Sequence, residues 1–304
     1  MTDSLRLPGV AVLVALVIAG AACGGASSPT AAARPPPASP APAPSPTHLV
    51  RPAIVGTQLV VGTDRFPVGV SDRSTPVTDA AVHVRVFSTA GGVVTLKGEA
   101  DAPYRGAGLG GHGLYVAELH FDVAGLWQAQ ITTRLADGTQ STADLQFGVR
   151  NVSEVPMVGQ PAPPSHNPTV ADVPDVSYID SGQPPDDMHA VSIADAIAQH
   201  RSTLVVFATP AFCTSATCGP QVQAVQALEP AYRDRLTFIH VEVYTNIRPD
   251  PAQRRLAPTM TQWHLQTEPW VFLINRQGSI AAEFEGAAAT DELQQAVDQL
   301  LTAG

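Results

Sequence analysis

Hydrophobic and polar positions change period several times along this chain. From residue 53 to 150 apolar residues alternate with polar ones in short runs, the period-two signature of half-buried strands. Val82, Val84 and Val86 alternate with His83 and Arg85, and Phe87 closes that run. Leu114–Phe121 predicts a second strand, and residues 126–132, around Trp127, predict a third. Asp137-Gly138 is a hairpin signal between Ile131-Thr132 and a strand near 145–147. About seven short strands in about 100 residues, with no helical stretch, predict an immunoglobulin-like β-sandwich over 53–150.

From residue 190 the pattern becomes an alternation of helices and strands. Residues 192–200 predict a short amphipathic helix, 204–207 a buried strand, 222–228 a helix and 236–243 a strand. Residues 251–263 read as a helix interrupted at Pro258. Trp270–Ile274 and 279–284 predict strands joined by the turn Arg276-Gln277-Gly278. A last helix covers 290–301, capped by Thr290, with Leu293, Val297, Leu300 and Leu301 on one face. This order predicts an α/β layer architecture for residues 189–304.

The amino-terminal segments carry no such periodicity. Gly9 to Ala22 is an uncharged apolar run behind a head with one arginine, Arg6, and one acid, Asp3. At 14 residues it falls short of the roughly 20 that a bilayer core requires, and it has signal-peptide length. It ends Gly20-Ala21-Ala22-Cys23, which resembles a bacterial lipobox, although Gly20 stands where an aliphatic residue is usual. The resemblance implies that residues 1–22 are removed and that Cys23 carries lipid. The mature chain would then be held at the cell membrane, facing away from the cytoplasm. The alternative is ordinary secretion with cleavage near Ala22. Residues 23–52 are rich in Ala, Pro, Ser and Thr and predict an extended spacer; about 25 residues at about 3.1 Å each would reach roughly 80 Å. A second proline-rich stretch makes 151–188 a linker by composition.

Composition narrows the function classes. The 304 residues hold 17 basic and 27 acidic side chains, a formal charge of −10, so nothing here neutralises a run of phosphates and no nucleic-acid partner is expected. Hydrophobic residues are 44% and charged ones 14%, a globular balance. Three cysteines exclude a disulfide scaffold and a four-thiolate zinc site. His83, His112 and His120 form no ligand motif and read as strand or loop residues facing solvent. No cofactor and no metal is expected.

The segment Phe207-Ala208-Thr209-Pro210-Ala211-Phe212-Cys213, directly after a buried strand, resembles the entrance to a thioredoxin active site, with one residue more than usual. Thr267-Glu268-Pro269-Trp270, followed by an apolar strand and Gly278, is similar to that family's cis-proline loop, strand and turn. Gly159-Gln160-Pro161-Ala162-Pro163 resembles the phrase that often opens extracytoplasmic domains of this kind. The likeness spans about 115 residues and points to the thioredoxin-like, TlpA-type thiol–disulfide oxidoreductases of the extracytoplasmic space. It implies catalytic roles for Cys213 and Cys218, and substrate positioning by Glu268 and Pro269. The partners implied are protein or small-molecule disulfides and dithiols, with the membrane reached through the lipid on Cys23. Cys213 would attack as thiolate, and Cys218 would resolve the mixed disulfide or run the exchange backwards.

Two features depart from the family. Four residues separate Cys213 from Cys218, where thioredoxins have two. On a regular helix that spacing puts Cα atoms about 8.7 Å apart, beyond disulfide range. Both cysteines are therefore expected in a loop at the amino end of a helix beginning at Pro220, where the dipole and free N–H groups favour thiolate. Glu268 also stands where the residue is usually uncharged, and a carboxylate there should raise the pKa of Cys213. Three other readings stay open. Q-type peroxiredoxins share the cysteine spacing, but their activating arginine falls here on Glu268-Pro269. Copper chaperones of the Sco type pair cysteines with a histidine, for which His240 and His264 are candidates, although His240 reads as an outward strand residue. A thioredoxin fold with an inert disulfide, used only for binding, is the third.

Overall fold

The computed structural model describes residues 47–303. The expected leader, Cys23 and the part of the expected spacer up to residue 46 lie outside the described residues. Nine strands come first: β1 Val50–Ile54, β2 Gly62–Asp72, β3 Thr75–Pro76, β4 Ala81–Ser88, β5 Thr95–Ala102, β6 Tyr104–Arg105, β7 Leu114–Phe121, β8 Gly125–Arg134 and β9 Gln140–Val149. They form two antiparallel sheets, ordered β1-β2-β7-β6 (with β3 on β2) and β5-β4-β8-β9. The alternation read from sequence is what closes them face to face. Val82, Val84 and Val86 point inward from β4, and Trp127, Ala129 and Ile131 from β8. They meet Phe66, Val68, Tyr115 and Phe121 from the other sheet. Phe121 packs edge-on to Trp127 at 5.1 Å, and the indole N–H of Trp127 donates to the Val123 carbonyl. Gly138, at φ 88°, supplies the left-handed residue of the β8–β9 hairpin. The N-terminal region is thus a β-sandwich. His83 and His120 lie on its outer faces, hydrogen-bonded to Asp101 and Thr63.

The C-terminal half holds α1 Ile193–Ala198, β10 Thr203–Ala208, α2 Cys218–Gln226, α3 Glu229–Tyr232, β11 Thr237–Glu242, β12 Tyr244–Thr245, β13 Arg255–Leu256, α4 Pro258–Gln262, β14 Trp270–Ile274, β15 Ile280–Glu285 and α5 Thr290–Ala303. Its four-stranded sheet runs β11-β10-β14-β15, with β10 parallel to β11 and the other neighbours antiparallel. Both faces are covered, which is why β10 and β14 are buried at every position and, apart from Thr203, apolar rather than alternating. One face carries Trp263, Phe207, Phe272 and Trp270; the other carries Val206, Val222, Leu293 and Val297.

Two expected helices differ. The stretch 251–263 is not one helix. Pro251–Gln253 makes a single tight turn, β13 follows, and α4 starts at Pro258. Pro258 holds Ala257 in the extended region (ψ 138°), so it starts a helix rather than interrupting one. Thr290 is the first residue of α5 rather than its cap; Glu292 accepts the Ala289 N–H instead, at 3.0 Å.

Residues 151–188 connect the halves and also pack on the second one. Val155 and Ala162 enter its core, Pro161 bridges to Ser279, and the Met188 carbonyl accepts the His240 N–H along the outer edge of β11. The sandwich contacts the same domain directly. Leu109, Leu114 and Val116 pack on Ala224, Ala287 and Ala289. Arg65 reaches Glu292 and the carbonyls of Glu285 and Ala287, and the Thr57 N–H donates to Glu285 at 2.6 Å. Gly108, at φ 75°, passes so close to Thr290 that a Cβ there would collide with its hydroxyl.

One acid in this interface makes stability depend on pH. Burial, and then the nearby Asp64 carboxylate, push Glu283 up to about 7 from its ordinary 4.5. The folded chain therefore holds this proton where the unfolded chain has lost it. Its contribution is fully present below about pH 4.5 and is lost as pH rises toward 7. Glu283→Gln is expected to stabilise the protein by about 1–3 kcal/mol at pH 8 and to be near neutral at pH 4. Thermal melts at both pH values check this; equal shifts would contradict it.

Candidate redox site

The site sits where β10 ends. That strand leaves the sheet at Ala208, and the Thr209 carbonyl then accepts the N–H groups of both Phe212 and Cys213, at 3.2 and 3.1 Å. This tight turn sets Cys213, half-buried, at the edge of the domain. Residues 214–217 loop back through Ala216, whose φ is 57°, and α2 begins at Cys218 with Thr217 before it. The helix therefore starts two residues ahead of the expected Pro220. First-turn N–H groups have no intrahelical partner, so a proline at the third helical position costs no hydrogen bond and sets no boundary. Only Cys213 is in the loop. Cys218 is fully buried against Val206, Ala208 and Val222.

The fold brings together four of the residues singled out in the sequence. Both thiols are free, and their sulfurs lie within 4.8 Å of each other and of a Glu268 carboxylate oxygen. Glu268 precedes Pro269 through a cis peptide, and Pro269 is buried next to the start of β14. The fifth, Cys23, lies outside the described residues. Neither histidine considered for this site is in it. His264 is exposed at the end of α4. His240 is buried on β11, not facing outward, because the 186–189 segment covers that strand edge.

The two thiols are electrostatically unequal. Cys213 is lowered to about 4, first by the Cys218 thiol donating to it, with further help from Ser215 Oγ at 3.2 Å and the N–H groups of Cys218 and Thr217. Partial burial opposes this and loses. These are the free donors of a helix start, where a thiolate is favoured. Cys218 is pushed far up by the same hydrogen bond, by burial and by the charges of Cys213 and Glu268. Glu268 does not hold Cys213 in the neutral form as expected. The Glu268 carboxyl itself is raised, by burial first and then by the Cys213 and Glu242 charges.

A cleft of about 460 Å³ lies beside this pair, lined by its neighbours rather than by the cysteines themselves. Thr214, Ser215 and Glu268 line it, as do Val55 and Leu114 of the sandwich. Beside Cys213, Phe212 meets Tyr244 edge-on at 6.1 Å, and the Arg254 guanidinium lies 4.9 Å above the Phe212 ring. Sequence reasoning missed Arg254 and also Glu242, a buried acid at the end of β11 that accepts the Ser181 N–H. It missed Asp180, Asp186 and His189, which gather around His240. A histidine inside an otherwise apolar strand was the available signal for that group.

No curated protein matches the chain. Among solved structures, the soluble domain of PmoD from Methylocystis sp. ATCC 49242 (Rockwell) is 14% identical. The alignment covers 34% of this chain and 94% of that one, with a TM-score of 0.23 that supports no argument here. A family of thioredoxin-like domains matches residues 190–301. From β10 to α5, with its thiol pair at the end of β10, this chain carries a thioredoxin-like domain.

Proposed function

We propose that this protein exchanges disulfides through Cys213 and Cys218 while tethered outside the cytoplasm by a lipid on Cys23. The observation that supports exchange is the asymmetry of the pair: a half-exposed thiolate beside a buried, protonated thiol. The Cys213 thiolate attacks a substrate disulfide; the S–S bond breaks, one substrate sulfur leaves as a thiolate that takes a proton from water, and a mixed disulfide forms. The Cys218 thiol then loses its proton and attacks Cys213, releasing the second substrate sulfur and closing the 213–218 bridge. The cleft between Glu268 and the sandwich would receive the substrate, with Pro269 in the positioning role that the family resemblance implies. The copper reading is weaker, because the third donor beside the thiols is a carboxylate, a hard ligand poorly suited to Cu(I).

The test is a redox titration of the 213–218 pair against dithiol buffers, scored by thiol labelling. A potential between about −120 and −270 mV is the range of working oxidoreductases and is the expected result. A value below about −300 mV would mark a structural bridge and remove the exchange reading. For the tether, Cys23→Ala is expected to abolish incorporation of labelled fatty acid and to release the chain from membranes.

A further inference from the structure

Behind the redox loop lies a second group of side chains to which no role has been given. Asp180, Asp186, His189 and His240 converge so that one donor atom from each lies within 4.8 Å of the others. Their side chains are between 0 and 4% exposed. We propose that this group is a divalent metal site, of the closed four-ligand kind that suits Zn²⁺, which ties the 180–189 segment to β11.

Three features of the group support this. The first is spacing. Tetrahedral Zn²⁺ with N and O ligands at about 2.0–2.2 Å has donor–donor edges of roughly 3.3–3.5 Å. His189 Nε2 lies 3.3 and 3.1 Å from Asp180 Oδ2 and Asp186 Oδ1. His240 Nδ1 lies 2.7 and 4.0 Å from the other oxygens, Asp186 Oδ2 and Asp180 Oδ1, so a small turn of each carboxylate would present one oxygen of each to a shared ion. The second is preorganisation. His240 Nε2 lies 3.2 Å from the Ala208 carbonyl; donating there leaves the Nδ1 lone pair aimed at the group, the outer-shell arrangement of metal-binding histidines. Both Asp180 oxygens are held by backbone N–H groups, of Gly182 and Asp186, and Asp186 by that of Met188. The third is charge. Two carboxylates with neutral imidazoles leave −2 in a buried space, which one divalent ion offsets. Binding requires the imidazoles neutral and the carboxylates ionised, so the metal displaces protons from its ligands. Asp186 is among the residues lining one cleft of about 430 Å³, and His240 among those lining another of about 390 Å³.

The site would steady the redox loop from behind. Ser181, next to Asp180, accepts the Ala211 N–H at 3.1 Å, two residues before Cys213. Ala208, the carbonyl partner of His240, is the last residue of β10.

The experiment is titration of the full, chelator-stripped chain with Zn²⁺ and with Co²⁺ at mildly alkaline pH. One equivalent should bind, with the visible bands of tetrahedral Co²⁺ and without the near-ultraviolet charge transfer that a thiolate ligand gives. The Cys213→Ser/Cys218→Ser chain should bind equally well, and added Zn²⁺ should raise the melting temperature of both chains. Asp186→Asn and His189→Gln should weaken binding by more than about 100-fold, beyond what loss of an outer-shell partner costs. No binding by the parent chain, a thiolate band, loss of binding in the double-serine chain, or undiminished binding by the Asp186 and His189 variants would each overturn the proposal.

Discussion

Cys213 is expected to alkylate with iodoacetamide at a rate that stays flat from neutral pH down to about 5 and falls only near its pKa of about 4. At pH 6 an ordinary thiol with pKa of about 8.5 is roughly 0.3% ionised, so the thiolate fraction at Cys213 exceeds it about 300-fold. Part of that gain is offset, because a less basic thiolate is a weaker nucleophile. Cys218, buried and protonated, should remain unlabelled throughout. The donor responsible can be removed. Cys218→Ala deletes the thiol that contributes most to the lowering, so the Cys213 midpoint should move up by units and its rate at pH 6 should drop about 10- to 100-fold. The same variant should accumulate mixed disulfides with substrate, while Cys213→Ser should form none. A midpoint near 8.5 in the parent chain would show that the loop supplies no such donors.

Arg65→Glu is expected to separate the sandwich from the thioredoxin-like domain as a cooperative unit. Arg65 spans the interface, its Nε 3.1 Å from Glu292 and its terminal nitrogens at 3.0 to 3.2 Å from two carbonyls and the other Glu292 oxygen. Both side chains are less than a fifth exposed, so solvent screens the pair only partly. Losing one member of a buried pair costs about 3–5 kcal/mol, and here the lower figure, about 3 kcal/mol, is expected. Glutamate also sets a carboxylate against Glu292 and against two carbonyl oxygens, so no compensating bond forms. Calorimetry should show one unfolding transition in the parent chain and two in the variant. A single transition with an unchanged midpoint would mean that the apolar contacts of Leu109, Leu114 and Ala287 hold the halves together unaided.

The variant would also test the cleft. Val55 and Leu114 belong to the sandwich, yet they line the same cleft as Glu268. With the sandwich loosened, Cys213 should keep its low pKa, because the hydrogen-bond donors that lower it, from Ser215, Thr217 and Cys218, lie within its own loop and helix start. Exchange with large protein substrates should change more than exchange with a small disulfide.

How much of this was legible beforehand follows from the range of the interactions involved. Leu114–Phe121 and Trp270–Ile274 match their expected bounds, because alternation and an unbroken apolar run are properties of neighbouring residues. The motif around Cys213 and the Glu268-Pro269 loop were visible for the same reason: each is a short string of residues. The start of α2 was misplaced because proline tolerance depends on helix position, which one residue does not reveal. The pairing of Glu268 with the thiols could be expected only through resemblance, since 55 residues separate it from Cys213 in the numbering. Tertiary packing alone decided the rest. Asp186 meets His240 across 54 positions, and Arg65 meets Glu292 across 227, at distances that no local pattern encodes. The sign of the Cys213 shift was likewise undetermined by the sequence, which offered a helix start and an acid pulling in opposite directions. The loop settled it by aiming the hydroxyl and N–H donors, together with the Cys218 thiol, at one sulfur, and by leaving Glu268 to take up the charge.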